Sequence, residues 1–428
     1  MAERLESAFP RTAAPALRAA IISLHTSPTA SLGRSANGGL NVYVREVCRS
    51  LSELGVGTDV FTRTVDPAGP RVEHIAPLSR VIYLPAGPVD LDKYALVDEV
   101  EGFAERVAAF VTARRLGYDV LYSHYWLSGA AACSLRGWLR VPWVHTAHTL
   151  GAVKNRQLPP GDRPEPELRL RLEGEISRSA DLLVVSTESE GADLRAAYHV
   201  PRNRITVVAP GVDVASFRPL DRDWAREQVG HPGERLLLFV GRLERLKGVD
   251  VALRAFAPNA RRHPDVRLLI LGEDSGAAGG EQLRLRQLAR DLGIAPMVDF
   301  VGSVEHERLP VYYSAAEACL MPSYSESFGL VGLEAQACGA AVVAADVAGL
   351  ASVVRDEVTG FLVPGHDPAD YADRIQRLLD DPELAPRMGR RATVLAQRFT
   401  WDRAAGRLQD LFQDLAAQRL VQAGARQE

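Results

Sequence analysis

With 428 residues, 46% of them hydrophobic and 24% charged, the chain is long enough for two or three soluble globular domains. A net charge of −4 excludes a broad basic surface and so gives no electrostatic case for nucleic-acid binding. No apolar run reaches the roughly 18–20 residues that span a membrane. The four cysteines, Cys48, Cys133, Cys319 and Cys338, show no CxxC spacing, which favours free thiols in a reducing, cytoplasmic compartment over disulfides.

Residues 1–17 set Glu3 and Glu6 beside Arg4 and Arg11 without a continuous apolar core, so they read as a flexible tail and not a signal peptide. Residues 19–24 (AAIISL) have the form of a buried parallel strand. The following HTSPTASLGRSANGG is loop chemistry. A helix is predicted from about Gly39, where Leu40, Val44, Val47, Leu51 and Leu54 recur on one face up to Gly55. Residues 58–62 form the next strand. Strand, glycine loop, helix, strand is the opening of a doubly wound sheet. The alternation continues with a strand at 81–84, a helix over 95–116 and strands at 119–123, 143–145, 182–186 and 205–208. Glycine and prolines between Pro210 and Pro219 mark a linker. A second sheet is predicted from 235–240, 266–271, 298–301, 318–321, 341–344 and 361–363, with a last helix over about 403–420. The fold class is α/β: two Rossmann-like doubly wound domains, 18–213 and 214–400, facing across a cleft, followed by a C-terminal helical segment, 401–428.

The stretch 323–339, SYSESFGLVGLEAQACG, organises the second half. It follows an apolar run and Pro322, and reads as strand, turn, then a helix entered near Phe328. The first helical turn has N–H groups without internal partners and attracts phosphate. Gly329 leaves that approach unobstructed. Glu326 and Glu334 can accept hydrogen bonds from sugar and ribose hydroxyls. Each also fits a helix-dipole partner or a solvated face, but Glu334 sits among Val331, Leu333, Ala335 and Ala337, which is poor surface composition. The stretch therefore reads as a nucleotide-sugar site.

Three further groups bear on chemistry. In Gly241-Arg242-Leu-Glu-Arg-Leu-Lys247-Gly248, Arg242 and Lys247 can reach one diphosphate and stabilise the charge that grows on a departing nucleoside diphosphate. Arg245 in the same stretch has the pattern of ordinary surface charge. Gly38-Gly39-Leu40-Asn41 permits close backbone approach at a helix start, although a glycine pair in a loop is also simply a turn. Lys93, Tyr125, His148, Thr149 and Arg169 gather at strand ends of the first half, and two cations with hydroxyls suit a phosphate on a second substrate. His148 fits a satisfied core histidine equally well, and metal-ligand spacing is absent.

Together these stretches resemble the retaining glycosyltransferases of family 4, which have the GT-B fold. The first half, through His25-Thr-Ser-Pro28, Leu91-Asp-Lys-Tyr94, Ser123-His-Tyr-Trp-Leu-Ser-Gly129, His145-Thr-Ala-His-Thr-Leu150 and Val153-Lys-Asn155, is similar to the branch that glycosylates D-inositol 3-phosphate in mycothiol biosynthesis. The resemblance covers nearly the whole chain beyond the tail. It implies a UDP-sugar as co-substrate, no required cofactor, N-acetylglucosamine as the sugar and 1D-myo-inositol 3-phosphate as the phosphorylated acceptor. It implies Arg242 and Lys247 on the donor diphosphate, Glu334 on the ribose, and Glu326 on the sugar with the amides of Ser327, Phe328, Gly329 and Leu330. Gly39 would approach the leaving phosphate and His148 would lie beside the transferring sugar. Lys93, Tyr125, Thr149 and Arg169 would hold the acceptor phosphate, and Asn41 an acceptor hydroxyl. The C-terminal helix would cross back to the first domain, and a homodimer is compatible with the family. A sucrose-phosphate-synthase-like transfer to fructose 6-phosphate and a non-catalytic nucleotide-sugar sensor are the alternatives. The chain departs from the family pattern at Asn37 (an acidic residue), at Leu40 (methionine) and at Gly339-Ala340-Ala341 (Gly-Thr-Pro). Ala340 replaces a threonine that touches a structural metal ion, so no bound metal is expected there.

Overall fold

The computed structural model describes residues 15–30, 38–66, 68–69, 71–274 and 280–424. The first sheet has eight strands: Leu17–Ile22 (β1), Val56–Arg63 (β2), Val72–Ala76 (β3), Ser79–Leu84 (β4), Val120–His124 (β5), Trp143–Thr146 (β6), Leu182–Val185 (β7) and Ile205–Val207 (β8), in the order β3-β4-β2-β1-β5-β6-β7-β8. The second has six: Arg235–Val240 (β9), Val266–Leu271 (β10), Val298–Gly302 (β11), Ala316–Met321 (β12), Ala341–Ala345 (β13) and Gly360–Val363 (β14), in the order β11-β10-β9-β12-β13-β14. All pairs are parallel except β3 with β4. These are two Rossmann-like domains. The inner strands β1, β9 and β12 are covered by helices on both faces, so their side chains are almost all buried and the strands read as continuous apolar runs. In each sheet the strand order reverses beside the first strand, β1 or β9. That reversal opens a crevice at the carboxyl ends of the strands.

Two local features differ from the sequence reading. Strand β3 is an added edge, antiparallel to β4 and only half-buried, so it lacks an apolar run to announce it. The helix expected over 95–116 is divided: a 3₁₀ turn at Ala95–Glu99 leads into an α-helix at Val100–Ala113, and Arg115 at φ 50° closes it.

The helix Trp401–Gly424 packs on the first sheet. Trp401, Ala404, Ala405, Leu408 and Phe412 share a core cluster with Ile21, Val44, Val47 and Tyr122. The Phe412 ring meets Tyr122 edge-on at 5.5 Å. Burial of each large apolar side chain here contributes about 1.5–3 kcal/mol. The chain thus passes between the two halves twice, and the passages lie side by side. The Val212 amide donates to the Phe399 carbonyl at 3.0 Å. A Cβ on Gly211 would stand 2.2 Å from the Thr400 carbonyl carbon, so no other residue fits there. Among the described residues no helix is long and apolar enough to cross a membrane.

Candidate active site

The two crevices face one another across a cleft of about 330 Å³. Its wall from the first half includes Gly39, Lys93, Tyr125, His148 and Thr149; from the second half it includes Arg242, Lys247, Glu326, Gly329 and Glu334.

In the second half, glycines allow two loops to touch. Gly248 (φ 67°) caps the helix Val249–Arg262, and a Cβ there would stand 2.1 Å from the Pro322 carbonyl oxygen. The loop after β9 therefore lies directly on the loop after β12, which brings Lys247 Nζ to 2.6 Å from Glu326 Oε2. Arg242 Nη2 lies 3.0 Å from Glu244 Oε1. Burial works against ionisation of the Glu244 carboxyl, yet Arg242, Lys247, Lys154 and Lys93 hold it below the usual range. Four cations thus bear on one carboxylate at the cleft. Gly329 (φ 97°) caps the helix Leu330–Ala337, two residues later than the sequence suggests. A Cβ on Gly349 would fall 2.0 Å from the Glu326 carbonyl oxygen, so the helix Ala348–Val353 fixes the glutamate loop from behind. Glu334 is held at both oxygens, with His306 Nε2 2.7 Å from Oε1 and the Tyr313 hydroxyl donating to Oε2 at 3.1 Å.

In the first half, Tyr125 (φ 75°) and His148 (φ 59°) stand in the left-handed region at the ends of β5 and β6. Strain of this kind, of order 1–3 kcal/mol per residue, is retained where a site needs a fixed backbone. His148 Nε2 lies 3.0 Å from His124 Nδ1, and its ring meets Tyr43 edge-on at 4.9 Å. Burial lowers the His148 pKa to about 3, so the imidazole is neutral. Its carbonyl oxygen accepts from the Ser327 hydroxyl, a bond that spans the cleft.

The expected phosphate group separates into a front and a back. Lys93 lies on the cleft wall. Burial, then Lys154, Arg169 and Arg242, lower its pKa to about 8 despite the nearby Glu165. Arg169 has no solvent exposure. Its Nη1 lies 2.9 Å from Glu165 Oε2 and its Nε donates to Glu173 Oε1 at 2.7 Å. Its Nη2 donates to the Thr149 hydroxyl at 3.0 Å, and the guanidinium lies 5.0 Å from the Tyr125 ring centroid. Arg169 therefore stands behind Thr149 and Tyr125 instead of in the cleft. Asn41 is also buried behind the wall; its Oδ1 accepts from the Thr26 hydroxyl at 2.8 Å and its Nδ2 donates to the Ser27 carbonyl at 2.9 Å. Arg245, read as solvated surface charge, donates to the Pro160 carbonyl of the first half at 3.1 Å. Asn37 lies outside the described residues. Ala340 is fully buried, and among the described residues no three His, Cys, Asp or Glu side chains group as a metal site.

Each half matches one known family. Residues 38–211 match the family described as "Glycosyl transferase 4-like domain", and residues 221–394 match "Glycosyl transferases group 1". The D-inositol 3-phosphate glycosyltransferase of Corynebacterium jeikeium is 44% identical over 406 residues, which span 93% of this chain and 97% of that one. The D-inositol 3-phosphate glycosyltransferase 2 of Catenulispora acidiphila is 43% identical over 418 residues, spanning 94% and 97%. The chain belongs to the GT-B glycosyltransferases of family 4. A sucrose-phosphate synthase from Thermosynechococcus elongatus superposes on this glycosyltransferase with a TM-score of 0.87 at 36% identity, over 94% of this chain and 99% of that one. The structure of Anabaena HepE in complex with UDP and glucose shares the fold, with a TM-score of 0.75 at 18% identity over 93% and 100% of the two chains.

Several residues of the glycosyltransferase site escaped the sequence reading. Lys154 donates to Glu165 Oε1 at 3.0 Å, and Tyr94 donates to Glu165 Oε2 at 2.9 Å. Burial opposes ionisation of Glu165, but Arg169, Lys154 and Lys93 bring its pKa down to about 2. Lys154 stands in Val153-Lys-Asn155, to which the family resemblance attaches no role. His306 and Gly349 carried no local signal, since each acts only on a residue far away in sequence.

Proposed function

We propose that this glycosyltransferase moves N-acetylglucosamine from its UDP donor to 1D-myo-inositol 3-phosphate, with retention of configuration at the sugar. The observation that carries the reading is that one cleft sets Arg242, Lys247, Glu326 and Glu334 opposite Lys93, Tyr125 and Thr149. The relatives described above act on D-inositol 3-phosphate by name. In this reading residues 214–400 bind the donor and 18–213 the acceptor. The four free cysteines fit a cytoplasmic enzyme.

A diphosphate entering the cleft competes for Lys247, which is paired with Glu326 at 2.6 Å. Once Lys247 and Arg242 turn to the phosphates, Glu326 is released to accept hydrogen bonds from sugar hydroxyls. The amides at Ser327 to Leu330 take the remaining charge. Lys93, with the hydroxyls of Tyr125 and Thr149, holds the acceptor phosphate. Arg169 adds charge from behind and fixes Thr149. The acceptor hydroxyl attacks from the side of the leaving group: its oxygen bonds to the anomeric carbon as the carbon–diphosphate bond breaks. Its proton passes to the departing diphosphate oxygen. No protein nucleophile takes part, and closure over the cleft excludes water.

The test is a matrix of UDP-GlcNAc, UDP-glucose and GDP-mannose against inositol 3-phosphate and fructose 6-phosphate, with UDP or GDP release measured and the anomer assigned by NMR. Turnover with UDP-GlcNAc and inositol 3-phosphate, giving an α-linked product, is expected. A β-linked product refutes retention. A second reading, glucosyl transfer to fructose 6-phosphate, is favoured by the sucrose-phosphate synthase at 36% identity. It wins if only UDP-glucose with fructose 6-phosphate turns over. No release in any combination would leave the nucleotide-sugar sensor.

A further inference from the structure

We propose that His306 and Arg45 form a latch coupling the nucleotide seat at Glu334 to closure of the two halves, an inference that rests on Glu334 receiving the donor ribose. His306 stands in the second half, in the 3₁₀ turn His306–Arg308 that follows β11. Its Nε2 is 2.7 Å from Glu334 Oε1, and its Nδ1 is 3.3 Å from Nη2 of Arg45, which belongs to the helix Gly39–Glu53 of the first half. Arginine has donors only, so Nδ1 must be the acceptor. The ring proton then sits on Nε2 and is donated to Glu334. This single tautomer satisfies both partners. The ring is fixed further by Phe217, 4.9 Å away between centroids, and Arg45 is anchored by Glu46 at 2.8 Å.

Two consequences follow. His306 is a positioning residue: it holds the Glu334 carboxylate in one rotamer, with Tyr313 on the other oxygen at 3.1 Å. Its bond to Arg45 exists only when the halves stand at this separation, so closure and an ordered Glu334 favour one another, and a nucleotide that binds the ordered carboxylate favours closure in return. The latch is also sensitive to protons. A second proton on the ring goes to Nδ1 and faces the Arg45 guanidinium, donor against donor and charge against charge. The groups facing the ring are Glu334 and Tyr313, Arg45 with its partner Glu46, and Glu307 on the same turn. Burial lowers the proton affinity of His306, but Glu334 more than offsets this and the pKa is raised. Lower pH therefore keeps the Glu334 bond and breaks the Arg45 bond.

The experiment measures UDP dissociation constants by calorimetry on the full chain between pH 5.5 and 8, with thermal melts as a check on folding. Arg45→Met is expected to weaken UDP about three- to tenfold at pH 8, the worth of one hydrogen bond, and to reduce the loss of affinity toward pH 5.5 to the part that comes from protonation of UDP's own terminal phosphate, whose second pKa is about 6. His306→Gln keeps one donor and one acceptor without titrating, so it is expected to bind as the parent does at pH 8 and to follow the same shallower pH profile as Arg45→Met, set by the UDP phosphate alone. His306→Ala is expected to weaken UDP, with no further loss when Arg45→Met is added. Full additivity of the two, or unchanged affinity in Arg45→Met, overturns the latch. Glu334→Ala separates the two levels. If it weakens UDP at least tenfold while the other pair is additive, only the latch falls. If it leaves UDP binding unchanged, the ribose seat is wrong and the latch falls with it.

Discussion

Lys247→Met is the sharpest perturbation of the proposed chemistry, because it removes one charge and keeps the hydrocarbon stem. Lys247 and Glu326 are in contact at 2.6 Å with side-chain exposures of 22% and 19%. At that degree of burial an effective dielectric of about 20 applies, and two unit charges about 4 Å apart interact by about 4 kcal/mol. A transition state that gathers charge on the leaving diphosphate would lose a comparable amount. Removal of one preorganised donor from a developing oxyanion typically costs about 10²–10³ in kcat, or roughly 2.7–4 kcal/mol. The two routes agree. The donor KM should rise as well, because Glu326 is left unpaired where a dianion must bind. The assay is UDP release at saturating inositol 3-phosphate and saturating donor, with a melting curve for the variant. A kcat within tenfold of the parent, in a variant that melts normally, would falsify the role given to Lys247.

The other predictions concern the scaffold and the acceptor. Gly349→Ala puts a Cβ 2.0 Å from the Glu326 carbonyl oxygen, so the loop must move; a donor KM raised about tenfold or more is expected, and unchanged kinetics would show that the loop is free to shift. Lys93 carries its charge below a pKa of about 8 and loses it above. Acceptor kcat/KM should therefore fall about tenfold for each pH unit beyond that point, and Lys93→Arg should flatten the profile; a flat profile in the parent sinks the assignment. Arg169→Met leaves Glu173 buried without its cation and Glu165 with Lys154 alone. Breaking such a pair costs about 3–5 kcal/mol, so urea denaturation should show the loss even with no acceptor present. Stability equal to the parent would refute the structural role given to Arg169.

The strands could be read because inner parallel strands are apolar on both faces. β1, β9 and β12 announce themselves, while β3 does not, since an edge strand with half-exposed side chains needs no apolar run. At the start of the long helix the Asp92 carboxylate accepts from the amides of Tyr94 and Ala95 at 2.6 and 3.0 Å and so caps the 3₁₀ turn with which the helix opens. Arg242 with Lys247, and Glu326 with Glu334, could be grouped because each pair sits close together in sequence just after an inner strand, the glutamates on the loop and the helix that follow β12. What could not be read were the pairings. Nothing in the sequence says that Arg169 pairs with Glu165 and donates to Glu173 and Thr149, that Glu334 is held by His306, or that Arg245 finds a carbonyl in the opposite half. Those partners are chosen by tertiary structure.

The contacts across the cleft explain what the glycine pair at the first helix does. The halves are tied by two adjacent chain passages at Gly211 and Thr400, and the last helix stays with the first half. Rotation about one edge thus needs only a change at those passages. At the opposite side the touching points are small: the Ser327 hydroxyl on the His148 carbonyl, Arg45 on His306, Arg245 on Pro160, and the Leu330 methyl against Gly39. A Cβ on Gly39 would already lie 3.3 Å from Leu330 Cδ1, so any larger side chain there props the halves apart. Gly39→Val should therefore separate binding from turnover. UDP affinity should fall by no more than the roughly three- to tenfold that loss of the Arg45–His306 contact costs, while kcat falls at least about a hundredfold, because the acceptor hydroxyl no longer reaches the anomeric carbon. Equal losses in UDP affinity and in kcat would mean that Gly39 touches the nucleotide phosphates directly and that its closeness to Leu330 is incidental.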